Sequence, residues 1–569
     1  MKKLFCILAG LSILILPAYA QKAPKWMEKS KKAILIVTTF DKNDRKINSA
    51  GGFYVSESGE AFSAYSLFSG AARATVTDAE GNTYPVASII GADDLYDVIR
   101  FKVAVPKKVP FLPLASDPVA AGTPVILLTA DAARQGAVEE VSKLKDPYSY
   151  YKISIPLEAG QANTPLLLAS GQVFALAQDD ASGKKTHSYG VSASYVNSLK
   201  QTTTDAFNTV YTRIGIRKAW AADVEEASIS LFLLAGTQDA KTYLETLDDF
   251  IATFPQNPDG YLNRASHEAA KRTDLAAEPA GQQALLDRAL ADMQTAAKLS
   301  RKKGEVYYSQ AKLIYAVAAS DTSLTDANWS LDAARTSLAK AIQEEDLPAY
   351  RELEGDISFF LGDFPAAYEA YMKANAQEAS ANSYYLAAKA LENIPGAQIS
   401  DLIALLDSAI SKMGTPLTRE AAPYVLERVE FKNQLSLYKE AVEDYNLYYT
   451  LVGGQVNDSF YFYREQARFR AGDNEGALLD IREAIKLNAQ IPEYYAEEAA
   501  IQVRLQSYEA ALASVQKALD LAPDFAACYR IRGVCFVRSE KKTEACEAFN
   551  KAKELGDPVV ARLIREHCQ

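Results

Sequence analysis

Three alanines set 34 residues apart, Ala477, Ala511 and Ala545, constrain the fold of this chain more than any other feature. A second ladder, Ala484, Ala518 and Ala552, keeps the same spacing, and Ile481, Val515 and Phe549 stand between the two. Small residues at i and i+7 with a bulky one at i+4 make a single narrow stripe on a helix. Such a stripe lets a neighbouring helix come close while the large side chain fills the remaining gap. Kept in register over three copies, the pattern predicts stacked helical hairpins.

The best-formed copy runs from Pro492 through Tyr508-Glu509-Ala510-Ala511-Leu512 to Ala518, Leu519 and Pro523. It resembles the tetratricopeptide repeat (TPR), with its two small residues, intervening large one and closing proline. Gly355, Gly362-Asp363-Phe364, Ala367, Tyr371 and Ala374 fit the same pattern, and Ala441, Tyr445 and Tyr448 fit it in part. From Gln201 onward the composition favours helix. Thr202–Asp205 are expected to cap the first helix, and Pro255 to close one over Asp239–Phe254. Gly260-Tyr261 should open a further hairpin, Glu278–Gly281 should form an insertion, and Glu305–Gln343 another pair. About eight or nine hairpins are expected over residues 201–569, clearest at 348–376 and 457–556.

The TPR resemblance implies a right-handed superhelix whose first helices line a concave groove for an extended peptide or a partner's helix. Arg470, Arg504 and Arg538, again 34 apart, fall late on those helices, with Tyr463 and Arg530 on the same face. Three guanidiniums at one repeat spacing suit peptide carbonyls or acidic side chains. The alternative is that they pair with nearby Glu465 or Glu497, and that the 32 tyrosines are packing residues first.

Two lysines, an apolar run from Leu4 to Leu16 and Ala18-Tyr19-Ala20 read as a cleavable secretory leader over residues 1–20. The mature chain should begin at Gln21, be soluble and exported, with a bacterial periplasm as the expected compartment, because no later stretch can span a bilayer. The net charge of -11 argues against nucleic acid or an anionic membrane as partner. Oligomeric state is left open. Cys528, Cys535, Cys546 and Cys568 cluster near the end. In an oxidising compartment they can staple it, Cys546 to Cys568 being one option, or fill buried gaps.

Residues 31–200 have β character. Strands are expected at Ala33–Phe40, Phe53–Ser56, Ala61–Ala64, Ala74–Asp78, Val86–Ile90 and Val98–Val103. A second set follows at Val125–Thr129, Tyr151–Ile155, Val173–Ala177 and Ser188–Val191. Two groups of about six strands suggest paired small barrels.

Gly52-Phe53-Tyr54-Val55, Gly59 and Phe62–Phe68 resemble the first barrel of trypsin-like, HtrA-type serine proteases. Gly91–Phe101 looks like the segment carrying that family's catalytic aspartate, and Gly160-Gln161-Ala162-Asn163-Thr164-Pro165-Leu166 like its nucleophile loop. The resemblance implies a double barrel over residues 21–200, with Ser66, Asp97 and Ala162 at the triad positions. Serine-protease chemistry needs a hydroxyl nucleophile, an imidazole base and an orienting carboxylate. Ser66 stands for the histidine and Ala162 for the serine, and Asn163 and Thr164 replace the glycines after it. The domain's one histidine, His187, lies beyond the loop.

No phosphate loop, His-Glu-x-x-His or dinucleotide fingerprint occurs, and Asp93-Asp94 reads as a solvated turn rather than a metal pair. Neither metal nor cofactor is expected. The expected whole is an all-β trypsin-like double barrel with a degenerate triad, followed by an all-α TPR solenoid. As a protein it reads as an exported scaffold or adaptor binding a protein or peptide partner. The alternatives are a peptidase with an unconventional site involving His187, its repeats recruiting substrate, and a structural role in an envelope complex.

Overall fold

A computed structural model describes residues 25–568 except 117, 145, 146, 184, 204, 206 and 207. The expected leader, its cleavage point and part of the Thr202–Asp205 cap lie outside the described residues. The chain forms two compact units that divide between Leu299 and Ser300.

The first unit opens with helix α1 (Lys25–Lys31). Strands β1 (Ile34–Phe40), β2 (Lys46–Tyr54), β3 (Glu60–Ser63), β4 (Arg73–Thr77), β5 (Thr83–Asp93) and β6 (Val98–Val103) close into a barrel ordered β1-β2-β3-β6-β5-β4. A second barrel uses β7 (Pro124–Leu128), β8 (Ala133–Ser142), β9 (Tyr150–Ile153), β10 (Pro165–Leu167), β11 (Val173–Gln178) and β12 (Ser188–Ser192), ordered β10-β11-β12-β9-β8-β7. The alternation that makes strands is plain in β6, where Val98, Ile99, Phe101 and Val103 are buried while Arg100 and Lys102 are partly exposed. Phe53, Phe62, Phe68 and Phe101 fill the first barrel. Closure leaves neither sheet an unpaired edge.

Three elements were absent from the expected list. In β8 only Val138 is buried, so the segment carries almost no apolar signal. Three-residue β10 begins within the stretch read as the nucleophile loop and ends one residue beyond it. Helix α1 is a short polar turn ahead of β1.

After β12 the chain returns to the first barrel. Helix α2 (Thr209–Thr212) and the residues behind it add Val210, Tyr211, Ile214 and Ile216 to that core. Helices α3 (Val224–Ala235), α4 (Ala240–Thr253), α5 (Pro258–Leu275) and α6 (Pro279–Leu299) complete the unit. Among the described residues, the first helix here longer than one turn is α3. Its cap is Asp223, which accepts from the N–H groups of Glu225 and Glu226, rather than Thr202–Asp205. Pro279 and Gly281, expected in an insertion, lie in the first turn of α6, where a proline lacks no hydrogen bond.

The second unit is helical: α7 (Lys303–Ser320), α8 (Leu331–Glu344), α9 (Pro348–Phe360), α10 (Phe364–Gln377), α11 (Ala381–Glu392), α12 (Ile399–Ser411), α13 (Ala422–Gln434) and α14 (Tyr438–Leu451). It continues through α15 (Asp458–Ala471), α16 (Asn474–Leu487), α17 (Pro492–Arg504), α18 (Tyr508–Leu521), α19 (Ala526–Arg538), α20 (Lys542–Glu554) and α21 (Val560–His567). Odd and even helices from α7 to α20 pair as antiparallel hairpins, a run consistent with a solenoid. All six ladder alanines, with Ile481, Val515 and Phe549, are fully buried. A Cβ on Gly533 would run into the ring of Phe549, and one on Gly355 into Tyr371.

Polar links repeat with the hairpins. Arg428 grips Asp444, Arg464 grips Asp480 and Glu498 takes the hydroxyl of Ser514, each across 16 residues. Cys546 and Cys568 form a disulfide that ties α20 to the end of α21. Cys528 and Cys535 are free and buried, and burial pushes both thiols up to about 11. Among the described residues no helix is long and apolar enough to cross a membrane.

Candidate functional site

Strand β3 runs into a tight turn, Tyr65–Leu67, which is held by the Thr39 hydroxyl donating to the Leu67 carbonyl at 2.9 Å. This turn presents Ser66 to Asp97, on the loop between β5 and β6. The Ser66 N–H donates to Asp97 Oδ1 at 2.6 Å and its hydroxyl to Oδ2 at 2.9 Å. Asp97 has φ +51, a conformation that aspartate tolerates better than most residues. Both carboxylate oxygens are thereby engaged by one residue, which carries a hydroxyl and no group basic enough to deprotonate another.

Ala162 lies in the turn before β10. Its neighbour Asn163 has φ +65 and donates its N–H to Ala177 at 2.8 Å. A glycine would take that φ without strain, and asparagine is among the few other residues that do so readily. Asn163 and Thr164 are nearly buried, and the Thr164 hydroxyl donates to the Gln161 carbonyl at 2.7 Å. The turn packs against the first barrel so closely that a Cβ on Gly51 would sit 2.8 Å from the Ala162 carbonyl oxygen. Ser66 and Ala162, which the trypsin-like resemblance aligns with the base and the nucleophile, carry a hydroxyl and a methyl group.

Three residues that sequence reasoning missed join the barrels beside Asp97. Gln178, the one polar side chain in β11, donates to the Tyr96 carbonyl at 2.9 Å and accepts from the Tyr150 hydroxyl at 3.1 Å. Burial first, then nearby Tyr189, Asp180 and Asp97, push the Tyr150 phenol up to about 12. The polar end of Val173-Phe174-Ala175-Leu176-Ala177-Gln178 was the available signal. Asp93 is similarly committed, accepting from the Tyr96 N–H at 2.8 Å and the Tyr195 hydroxyl at 2.6 Å. The ring of His187 faces elsewhere: its Nδ1 lies 2.9 Å from Glu139 Oε2 of β8, without hydrogen-bond alignment.

In the second unit the arginine ladder has a distinctive environment. Arg464, Arg468, Arg482 and Arg530 all meet carboxylates, Arg530 holding Asp557 at 2.8 Å. Arg470, Arg504 and Arg538 are exposed and form no ion pair among the described residues. Arg470 instead lies 5.6 Å over the Tyr438 ring and Arg504 5.9 Å over Phe469. Tyr463, 56% exposed, lines an open cavity of about 660 Å³ with Leu426, Tyr445, Tyr448, Val456 and Phe460. Tyr463 and Arg470 are seven residues apart on α15 and so share a face.

Glu465 is fully buried with both carboxylate oxygens lacking a hydrogen-bond partner. The same slot one and two repeats later holds Ala499 and Gly533. Burial, with the negative charges of Glu497 and Asp480, pushes this carboxyl up to about 8, against a smaller opposing pull from Arg470. Glu497 is also raised, by burial, while Arg470 and Arg530 pull it down. The two glutamates and the two arginines are electrostatic neighbours, but the ladder arginine is not spent on either acid as an ion pair.

No curated protein matches the chain. Residues 50–176, from within β2 to within β11, match the family model of the trypsin-like peptidase domain, a stretch that contains Ser66, Asp97 and Ala162. With two closed six-stranded barrels in the matching place, the β region is a domain of trypsin-like peptidase fold, followed by a long run of helical hairpins.

Proposed function

We propose that this protein is an exported scaffold or adaptor, in which a TPR-type groove binds a protein or peptide partner and the protease-like domain has no peptidase activity. The observation that carries the catalytic half is the Ser66–Asp97 pair, together with alanine at the position that the resemblance gives to the nucleophile. A peptidase of this fold loses several orders of magnitude when any triad member is removed, and here two are replaced. The binding half is supported by guanidiniums at repeat spacing that form no ion pair among the described residues, and by an aromatic-lined cavity on the helix that carries Arg470. Export is supported by the leader-like first twenty residues and by the Cys546–Cys568 disulfide, which suits an oxidising compartment.

The test is incubation of the purified chain with unfolded casein, read by mass spectrometry. No new fragment is expected. Fragments that vanish in Asp97→Asn or His187→Ala would establish a working peptidase and reverse the reading.

A further inference from the structure

The cavity in the second unit and the arginine ladder are parts of one surface. Leu426 on α13, Tyr445 and Tyr448 on α14, and Phe460 and Tyr463 on α15 enclose about 660 Å³. Leu426 is 40% and Tyr463 56% exposed, so apolar surface is presented to solvent at the rim. Two helical turns along α15 from Tyr463, a rise of about 10 Å, comes Arg470. Arg504 occupies the equivalent place on α17 and Arg538 on α19. All three guanidiniums are exposed and form no ion pair among the described residues, whereas Arg464 and Arg468 on α15 and Arg530 on α19 are paired.

Unpaired guanidiniums on the surface of an acidic chain are complementary to carboxylates. The open aromatic cavity is complementary to one bulky apolar side chain. The distance between them, about 10 Å, corresponds to about three residues of extended chain. Resting on the groove reading above, we infer that the occupant is an extended acidic peptide segment. One large apolar side chain enters the Tyr463 cavity, and carboxylates beginning about three residues away meet Arg470 and then Arg504.

The experiment is selection of a random dodecapeptide display library on the full chain, followed by affinity measurement of the enriched peptides. The variants are Tyr463→Ala, Arg470→Ala/Arg504→Ala and the surface control Lys551→Ala, all at exposed or partly exposed positions and checked for unchanged helicity. Enriched peptides should pair a Leu, Phe, Tyr or Trp with Asp or Glu about three residues away. Affinity should fall tenfold or more in the double arginine variant, and with added salt. In Tyr463→Ala, replacing the peptide's apolar residue by Ser should no longer matter. Peptides that depend on Tyr463 but carry no acidic residue, or ignore the arginines, would overturn this assignment and leave the groove standing. No enrichment, or peptides indifferent to every groove variant, would overturn the groove reading as well.

Discussion

Ser66 meets Asp97 through two hydrogen bonds, backbone N–H to Oδ1 and hydroxyl to Oδ2, at 2.6 and 2.9 Å. A carboxylate so engaged pins the loop between β5 and β6 to the turn after β3. On the proposed reading its role is structural, and substitution should register in stability rather than in turnover. Asp97→Ala removes both acceptors and places a less tolerant residue at positive φ. It should lower the stability of the first unit by about 1–3 kcal/mol in denaturant unfolding.

Glu465→Ala should stabilise the second unit. An unfolded carboxyl releases its proton near pH 4.5, whereas the buried one holds it to about 8. The folded state therefore binds the extra proton between these values, so wild-type stability is greatest below that window, declines as pH rises through it and levels off above. The advantage of Glu465→Ala over wild type in unfolding free energy should grow from pH 4.5 to 8 and then stay constant, reaching about 1–4 kcal/mol. A pH-independent difference would mean that Glu465 releases its proton at the same pH in the folded and unfolded chain.

The paired arginines and aspartates behave oppositely. Asp480→Ala leaves the nearly buried Arg464 without its bidentate partner. It should cost about 3–5 kcal/mol in unfolding free energy. Removing Glu369, which is exposed and pairs with Lys373 along one helix, should leave the unfolding midpoint essentially unchanged.

Of the four C-terminal cysteines, two should resist alkylation in the folded protein because Cys528 and Cys535 are buried and their thiols raised. Non-reducing peptide mapping should give the single cross-link Cys546–Cys568. Cys568→Ser opens a loop of 22 residues and should destabilise the C-terminal hairpin by about 2–3 kcal/mol.

The repeat stripe was legible because one helix face carries all the information: Ala511, Val515 and Ala518 are buried where their spacing puts them. β6 was equally legible, its apolar run and its burial coinciding from Val98 to Val103. β8 was not, since nine of its ten residues are at least partly exposed and its place is set by ladder pairing with β7 and β9 rather than by an apolar pattern. At the candidate site, the trypsin-like resemblance singled out Ser66, Asp97 and Ala162, and the structure brings the first two into hydrogen-bond contact. The Gln178 bridge did not, because it joins residues 82 and 28 apart in sequence across two barrels. The slot occupied by Glu465 could have been flagged from Ala499 and Gly533, but its isolation from any partner depends on how three helices pack.

The most direct measurement is crosslinking of the full chain in its native compartment with mass-spectrometric identification, wild type against Arg470→Ala/Arg504→Ala/Arg538→Ala. A binding groove predicts a protein partner crosslinked near α13–α19 in wild type and lost from the triple variant. A partner captured equally by both, through residues of the two barrels, would place the working surface on the protease-like domain and contradict it.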